Sequence, residues 1–258
     1  GYKVAVRDIA EGEAILKYNT IIGFAARDLQ VGEMLHNHNI AFQEFDRDYA
    51  YATKFKPVTE LPEAERATFQ GYKRSDGRVG TRNFIAIVST VNCSATVVHA
   101  IADHFTKERL AAYPNVDGVA AFAHAMGCGM EMTGEPMDLL HRTLSGYIQH
   151  PNVAGALVVG LGCERCQVGG LFAAEDLTET PNLRTMIMQE QGGTRKTIER
   201  GIAIVEEMLA EANTCTREEA SAAHIKVGLQ CGGSDAFSSI TANPSLGRAI
   251  DSLAGHGG

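Results

Sequence analysis

The chain has 258 residues, a formal net charge of −8, 45% hydrophobic and 21% charged residues, and no tryptophan. This is the balance of an ordinary globular protein. No apolar run is long enough to span a membrane, and no basic cluster offers a surface for nucleic acid, so both are excluded as main partners. Its six cysteines are too sparse for a disulfide scaffold, and their loop positions suit free thiols in a reducing cytoplasm. No signal peptide is visible. The sequence opens directly in strand-like GYKVAVRD, so its true start is expected to be missing.

Residues 1–45 predict a compact β module. Arg7-Asp8-Ile9 followed by Gly12-Glu13 recurs as Arg27-Asp28-Leu29 followed by Gly32-Glu33. Each copy reads as a strand end, a glycine turn and a new strand. Residues 46–70 are polar, charged and broken by Pro57 and Pro62, and they predict a linker with one short helix starting at Pro62. From 71 to 258 strands and helices alternate. Strands are predicted at 83–90, 117–123, 153–160, 183–189 and 223–229, and amphipathic helices at 94–111, 134–149 and 194–212. Ser94 and Thr194 are the expected caps of the first and last of these helices. Nearly continuous apolar strands indicate a parallel sheet with helices on both faces. The fold class is therefore α/β, a small β-rich module followed by a Rossmann-like, doubly wound domain. One more helical segment follows before the chain ends, where such a domain usually continues. The remainder of the domain is expected to lie beyond residue 258.

Four cysteines share one kind of position. Cys93, Cys128, Cys163 and Cys231 end the segments FIAIVSTVNC, VAAFAHAMGC, ALVVGLGC and IKVGLQC. If these runs are strands of one parallel sheet, all four sulfurs lie at its carboxyl edge, where open α/β sheets bind ligands. Thiolates select iron or zinc over magnesium or calcium. Three or four could hold an iron–sulfur cluster, or a mixed set with His124 and Glu164 could hold a single ion. The competing reading is that some of them are small buried hydrophobes. Cys163 and Cys166 also form a C-x-x-C pair, without the thioredoxin context that would make it a redox motif.

His36-Asn37-His38-Asn39 closes the β module. On a strand, residues two apart share a face, so both imidazoles would meet one surface and could bind metal or exchange protons. The alternative is an exposed polar strand end. In GYKRSDGRVGTRN, residues 71–83, Arg78 and Arg82 flank Gly80 beside Asn83; arginine forks suit carboxylates, and a solvated basic loop is the competing reading. In QCGGSDAFSSITANPSLG, residues 230–247, Ser234 and Asp235 precede a helix near Pro244, a setting for an oxyanion. QEQGGTRKT does not match a phosphate-binding loop, and HAMGCG is not a dinucleotide fingerprint.

Together GYKRSDGRVGTRN, STVNCSAT, HAMGCG, GLGCERCQ and QCGGSDAFSSITANP resemble the altronate/galactarate dehydratase family, which also includes sulfolactate sulfo-lyase. The likeness covers essentially the whole chain. The β module is similar to the SAF (β-clip-like) domain that opens these enzymes. Two departures stand out. Ser239 replaces the glycine of the family's SGITANP, and family members extend well past residue 258.

The resemblance implies a sugar-acid dehydratase that removes water from an aldonate or aldarate to give a 2-keto-3-deoxy acid. The His-x-His-Asn sequence favours altronate as substrate. Galactarate dehydratase, sulfolactate sulfo-lyase and a non-catalytic sugar-acid-binding module are the alternatives. The implied cofactor is iron, as Fe²⁺ or an iron–sulfur cluster, with Mn²⁺ as a substitute. On this reading His36 and His38 are the acid/base pair. Cys93, His124, Cys128, Cys163, Glu164 and Cys231 are at or near the metal. Arg78, Arg82 and Asn83 hold the carboxylate, and Ser234 and Asp235 orient the hydroxyls. Base rates for soluble chains point to a homodimer.

Overall fold

A computed structural model describes residues 2–46, 50, 53, 55–232 and 237–258. The chain divides into two compact units, Gly1–Thr59 with Leu229–Ser252, and Glu60–Gly228 with Leu253–Gly258. Among the described residues no helix is long and apolar enough to cross a membrane.

The first unit contains β1 (Lys3–Val4), β2 (Ala14–Lys17), β3 (Thr20–Ala25), β4 (Met34–Leu35) and β5 (Ile40–Ala41). β1 pairs with β4, and β3 lies between β2 and β5, all antiparallel. The sequence repeat becomes a reciprocal set of bonds. The Gly12 amide donates to the Ala25 carbonyl, and the Gly32 amide to that of Ala5; Ile9 and Leu29 exchange both backbone bonds. Asp8 Oδ1 accepts from the Val31 amide at 2.8 Å, and Asp28 Oδ1 from the Glu11 amide at 2.9 Å. Arg7 pairs with Glu13 as Arg27 pairs with Glu33. Gly12 and Gly32 take left-handed φ values of 76° and 87°, which a side chain resists. The two copies bury Ala5, Ile9 and Ile15 against Ala25, Leu29 and Leu35.

The second unit is built on a four-stranded parallel sheet. In chain order it has β6 (Thr68–Lys73), β7 (Val79–Gly80), β8 (Phe84–Ser89), α1 (Ala95–His104), α2 (Lys107–Leu110), β9 (Gly118–Phe122), α3 (Glu135–Ile148), β10 (Val153–Gly160), α4 (Val168–Ala174), β11 (Leu183–Ile187), α5 (Thr194–Ala212) and β12 (Glu218–Ser221). The sheet order is β11-β10-β8-β9, every pair parallel. Alternate residues of each strand serve opposite cores. Ile85, Ile87, Leu157 and Val159 pack with Val98 and Ile101 of α1 and Ile204, Val205 and Leu209 of α5. Ala86, Val88, Ala156 and Val158 pack with Met137 and Leu144 of α3 and Leu171 of α4. Burial on both faces explains the unbroken apolar runs FIAIVS and VAGALVVG.

Several expectations need correction. Residues 223–229 are not a strand. A short 3-10 turn covers Ala222–His224, and 225–232 carries no regular element. The alternating apolar pattern is present, but among the described residues no neighbouring strand pairs with it, and Val227 and Leu229 are exposed. The strand near here is β12, one step earlier, which pairs antiparallel with β6; β6 also pairs with β7, forming a separate three-stranded sheet. β6 takes the last residues, 68–70, of the stretch expected to be a linker, and the expected helix at Pro62 is a single 3-10 turn. Ser94 holds the cap position of α1, as expected, but its side chain makes no cap bond. Its hydroxyl is buried and turned inward, donating to the Val91 or Val159 carbonyl. Thr194 is already inside α5, whose cap is Gly193.

Gly80 has no room for a side chain, because a Cβ there would meet the Pro151 carbonyl oxygen at 2.3 Å. The obstacle is backbone and cannot rotate away. Gly80→Ala is expected to cost about 1–3 kcal/mol in urea denaturation, as overpacking does.

A thiol-lined candidate site at the carboxyl edge of the parallel sheet

β8 lies between β9 and β10, so the chain turns to opposite sides after its first and second sheet strands. Such a reversal opens a crevice beyond the carboxyl ends of the strands. Three loops meet there. Residues 90–94 leave β8 and include a 3-10 turn, Asn92–Ser94, that presents Cys93. Residues 123–134 leave β9 and carry His124 and Cys128, and residues 161–167 leave β10 and carry Cys163, Glu164, Arg165 and Cys166.

Glu164 fixes the third loop to the first. Its carboxylate is buried, at 3% exposure. Oε1 accepts from Thr90 Oγ1 and the Leu161 amide, both at 3.0 Å, and Oε2 from the Gly162 amide at 2.5 Å. The glycines of GLGCE have steric reasons. A Cβ at Gly160 would sit 2.5 Å from Glu164 Oε1, and Gly162 adopts φ 125° against the Gln189 side chain. The second loop is tied to both others. The Asn92 amide donates to the Met126 carbonyl at 2.9 Å, and Arg165 Nε donates to the Cys128 carbonyl at 3.2 Å.

Cys93, Cys128 and Cys163 are all exposed. Shielding from water, and then the neighbouring charges of Cys163, Cys93 and Glu164, hold the Cys128 thiol above its ordinary range, with Arg165 opposing. Cys93 and Cys163 therefore each lie within electrostatic reach of Cys128. The Cys93 thiol donates to Asn92 Oδ1 at 3.4 Å, and Gln189 Nε2 donates to Cys163 Sγ at 3.5 Å. His124 Nδ1 accepts the Met126 amide at 3.1 Å, which leaves the ring proton on Nε2. That nitrogen is buried with no hydrogen-bond partner among the described residues. Burial lowers the His124 pKa, so the ring is neutral near pH 7.

Cys166 faces the core between the sheet and α4 at 1% exposure. Burial, and then Glu164, push its thiol up to about 11. The C-x-x-C pair is thus split between solvent and core. Iodoacetamide at neutral pH is expected to label Cys93, Cys128 and Cys163 in the native protein and to spare Cys166 until the chain unfolds, as peptide mass mapping would show.

Cys231 does not join this edge through a strand, because the strand expected before it is absent. It belongs to the first unit, where Asn243 Nδ2 donates to its sulfur at 3.6 Å. Ser234 and Asp235 lie outside the described residues. His36 and His38 lie on a turn rather than a strand, yet the turn still brings the rings together, with centroids 6.4 Å apart and planes 21° from parallel. Asn39 closes that turn from the inside: it is fully buried, accepting from the His36 amide and donating to the Met34 carbonyl. With a repeat offset of 20 residues, the first copy has Leu16, Tyr18 and Asn19 where the second has His36, His38 and Asn39. The two segments differ in conformation, since Leu16 lies in β2 and Tyr18 and Asn19 take left-handed φ values of 53° and 63°.

Arg78, Arg82 and Asn83 precede β8 and so lie at the amino edge of the sheet, away from the thiols by the strand's length of about 17 Å. Asn83 is fully buried and committed to the fold, donating to the Asn115 and Ala212 carbonyls and accepting from Arg74. Arg82 is near Asp117, and Arg78 is bonded to Asp76. The guanidinium that touches the thiol crevice is Arg165, which the sequence reading passed over although it sits inside GCERC.

Among the described residues no group of three or more His, Cys, Asp or Glu is gathered tightly enough to hold an ion. The donor chemistry separates the candidates. Glu164 already accepts three hydrogen bonds and His124 Nδ1 accepts one, whereas the three exposed thiols form a set suited to a thiophilic ion.

Family profiles cover most of the chain. One described as D-galactarate dehydratase/altronate hydrolase, second domain, matches residues 71–213. The altronate/galactarate dehydratase SAF domain matches 1–43, and the D-galactarate/altronate dehydratase C-terminal profile matches 222–258. Altronate dehydratase of Bacillus subtilis (strain 168) is 35% identical over 260 residues, covering 100% of this chain and 50% of the relative. Altronate dehydratase of Escherichia coli (strain K12) is 36% identical, covering 100% of this chain and 51% of the relative. Galactarate dehydratase (L-threo-forming) of the same organism is 34% identical, covering 98% and 50%. The chain spans about half the length of these relatives.

Proposed function

Because the chain belongs to the D-galactarate dehydratase/altronate hydrolase family, we propose that it acts in the dehydration of a sugar acid to a 2-keto-3-deoxy acid, with altronate as the favoured substrate. The observation that carries this reading is the convergence of three exposed thiols on the switch-point crevice, in a chain whose β module also presents a close pair of imidazoles.

The chemistry asks for three things. The proton α to a carboxylate is weakly acidic and needs a positioned base. The enediolate that forms needs stabilisation, and the departing hydroxyl needs a proton. One imidazole of the His36/His38 pair takes the C2 proton, and the C2–C3 double bond forms as the C3–O bond breaks. The other imidazole protonates the leaving hydroxyl, so water departs and the enol relaxes to the ketone. Cys93, Cys128 and Cys163 would hold an iron ion, which when bound would supply Lewis-acid polarisation of substrate oxygens. Glu164 holds the Cys163 loop in register, and Arg165 offers a cation beside Cys128 for the substrate carboxylate.

Anaerobic purification, addition of Fe²⁺ and assay of keto acid from altronate and galactarate test the proposal. Altronate is expected to give product faster. Absence of keto acid from every aldonate and aldarate tried would overturn it. Metal binding has its own readout. Cys128→Ser is expected to weaken Fe²⁺ or Co²⁺ binding by at least about tenfold, followed by the thiolate–metal absorption band, since even outer partners cost that much.

A further inference from the structure

The GYKRSDGRVGTRN segment is not part of the thiol crevice, yet it borders a cleft of its own. The cleft has a volume of about 580 Å³ and lies between the β6–β7 turn, the corner after α3, and residues 223–226. That volume is within the usual range for small-molecule sites, about 300–1,000 Å³. Its polar lining is Asp76, Arg78, Thr81, His150, Asn152, His224 and Lys226, and the Thr81 hydroxyl is spent on Asn152 Oδ1.

The lining is rich in donors. Asp76 is its one carboxylate, and Arg78 consumes it: Oδ2 accepts from Nε at 2.8 Å and Nη2 at 2.6 Å, and Oδ1 accepts from the Arg78 amide at 3.0 Å. Asn152 Oδ1 is likewise filled, by the amides of Thr81 and Arg82 at 2.7 and 3.2 Å. His150 Nδ1 accepts the Asn152 amide at 3.1 Å, which puts the ring proton on Nε2. Arg78 Nη1, His150 Nε2, Asn152 Nδ2, the His224 ring and Lys226 Nζ remain, and none has a bonded acceptor among the described residues. On a chain of net charge −8, this is a local concentration of unmatched donors.

We propose that this amino-edge cleft binds a small organic or inorganic oxyanion, a carboxylate or a phosphate, at a site separate from the thiol crevice. The ligand's oxygens accept from Lys226, His224, His150 and the free arm of Arg78. The inference does not depend on the dehydratase reading, because no residue of the thiol loops or of the imidazole turn takes part.

The test is titration of the whole protein with inorganic phosphate and, separately, with malonate, by calorimetry and by NMR of the histidine rings. Saturable binding is expected for at least one of them, with His150 and His224 resonances shifting, and the anion that binds names the source. Lys226→Gln and the His224→Ala/Lys226→Ala double variant are expected to weaken binding at least tenfold. Cys163→Ser is expected to leave it unchanged. Circular dichroism checks folding, and the single Lys226→Gln change, at an exposed site, keeps the test valid should the double variant unfold. No saturable binding of either anion in the millimolar range, or equal binding by wild type and Lys226→Gln, would overturn the proposal. Loss of binding in Cys163→Ser would overturn the separateness of the site.

Discussion

His38→Ala is expected to lower turnover of altronate by about 10²–10⁴-fold, the range that a positioned acid or base contributes. The fold should hardly register the change. His38 is exposed on a turn whose shape is set by Asn39 from within. Exposed substitutions of this kind stay within about 0.5 kcal/mol of wild type. The pairing of a large kinetic loss with an unchanged melting curve is the signature to look for. His36→Ala should behave the same way, since its ring stacks on that of His38. Unchanged turnover in either variant would remove that residue from the proton transfers.

Glu164→Ala should do the opposite, damaging stability and the thiol site together. The substitution strands the Thr90 hydroxyl in a buried setting and the Leu161 and Gly162 amides in a half-buried one. Each buried donor left without a partner costs about 1–3 kcal/mol, so a loss of about 3 kcal/mol or more is expected in urea denaturation, after water has filled part of the gap. Glu164→Gln keeps the size but replaces one acceptor oxygen with a donor, so it should lose roughly half as much. Both variants free the Cys163 loop from the Thr90 loop, and Cys163 alkylation should speed up accordingly. A cost below about 1 kcal/mol for the alanine variant would show that the carboxylate does not hold the two loops.

The parallel sheet was legible in the sequence because its physics is local and redundant. VAGALVVG is buried on both faces, which leaves an unbroken apolar run, and strand 153–160 appears at the expected bounds. TRKTIERGIAIVEEMLAEA is amphipathic throughout, and helix 194–212 does too. The misreadings arose where local pattern met non-local need. IKVGLQ alternates like a strand, but alternation cannot supply a pairing partner, and none is found among the described residues. Ser94 has the chemistry of a cap, yet the packed loop beneath draws its hydroxyl to the Val159 carbonyl. The histidine pair was expected on a strand, and a turn brings the rings together instead.

The candidate site divides along similar lines. Cys93, Cys128 and Cys163 were found because each follows an apolar run, and a parallel sheet gathers such positions at one edge. The same rule, carried through, would have kept Arg78 and Arg82 out of that group, since a segment before a parallel strand sits at the opposite edge. Arg165 and Gln189 were missed because they act through contacts across loops, with the Cys128 carbonyl and the Cys163 sulfur, that no spacing rule announces.

The duplicated β module has a consequence for how this protein can change. Its two halves share the wiring of Asp8 with Asp28, Ile9 with Leu29 and Gly12 with Gly32, and they part after it: Leu16 lies in β2 and Tyr18 and Asn19 form a left-handed turn, whereas His36–Asn39 is a turn closed by a buried Asn39. Erasing the imidazoles from 36 and 38 leaves the shared lattice of aspartates and glycines intact. New chemistry can be tried in one half while the other preserves the architecture.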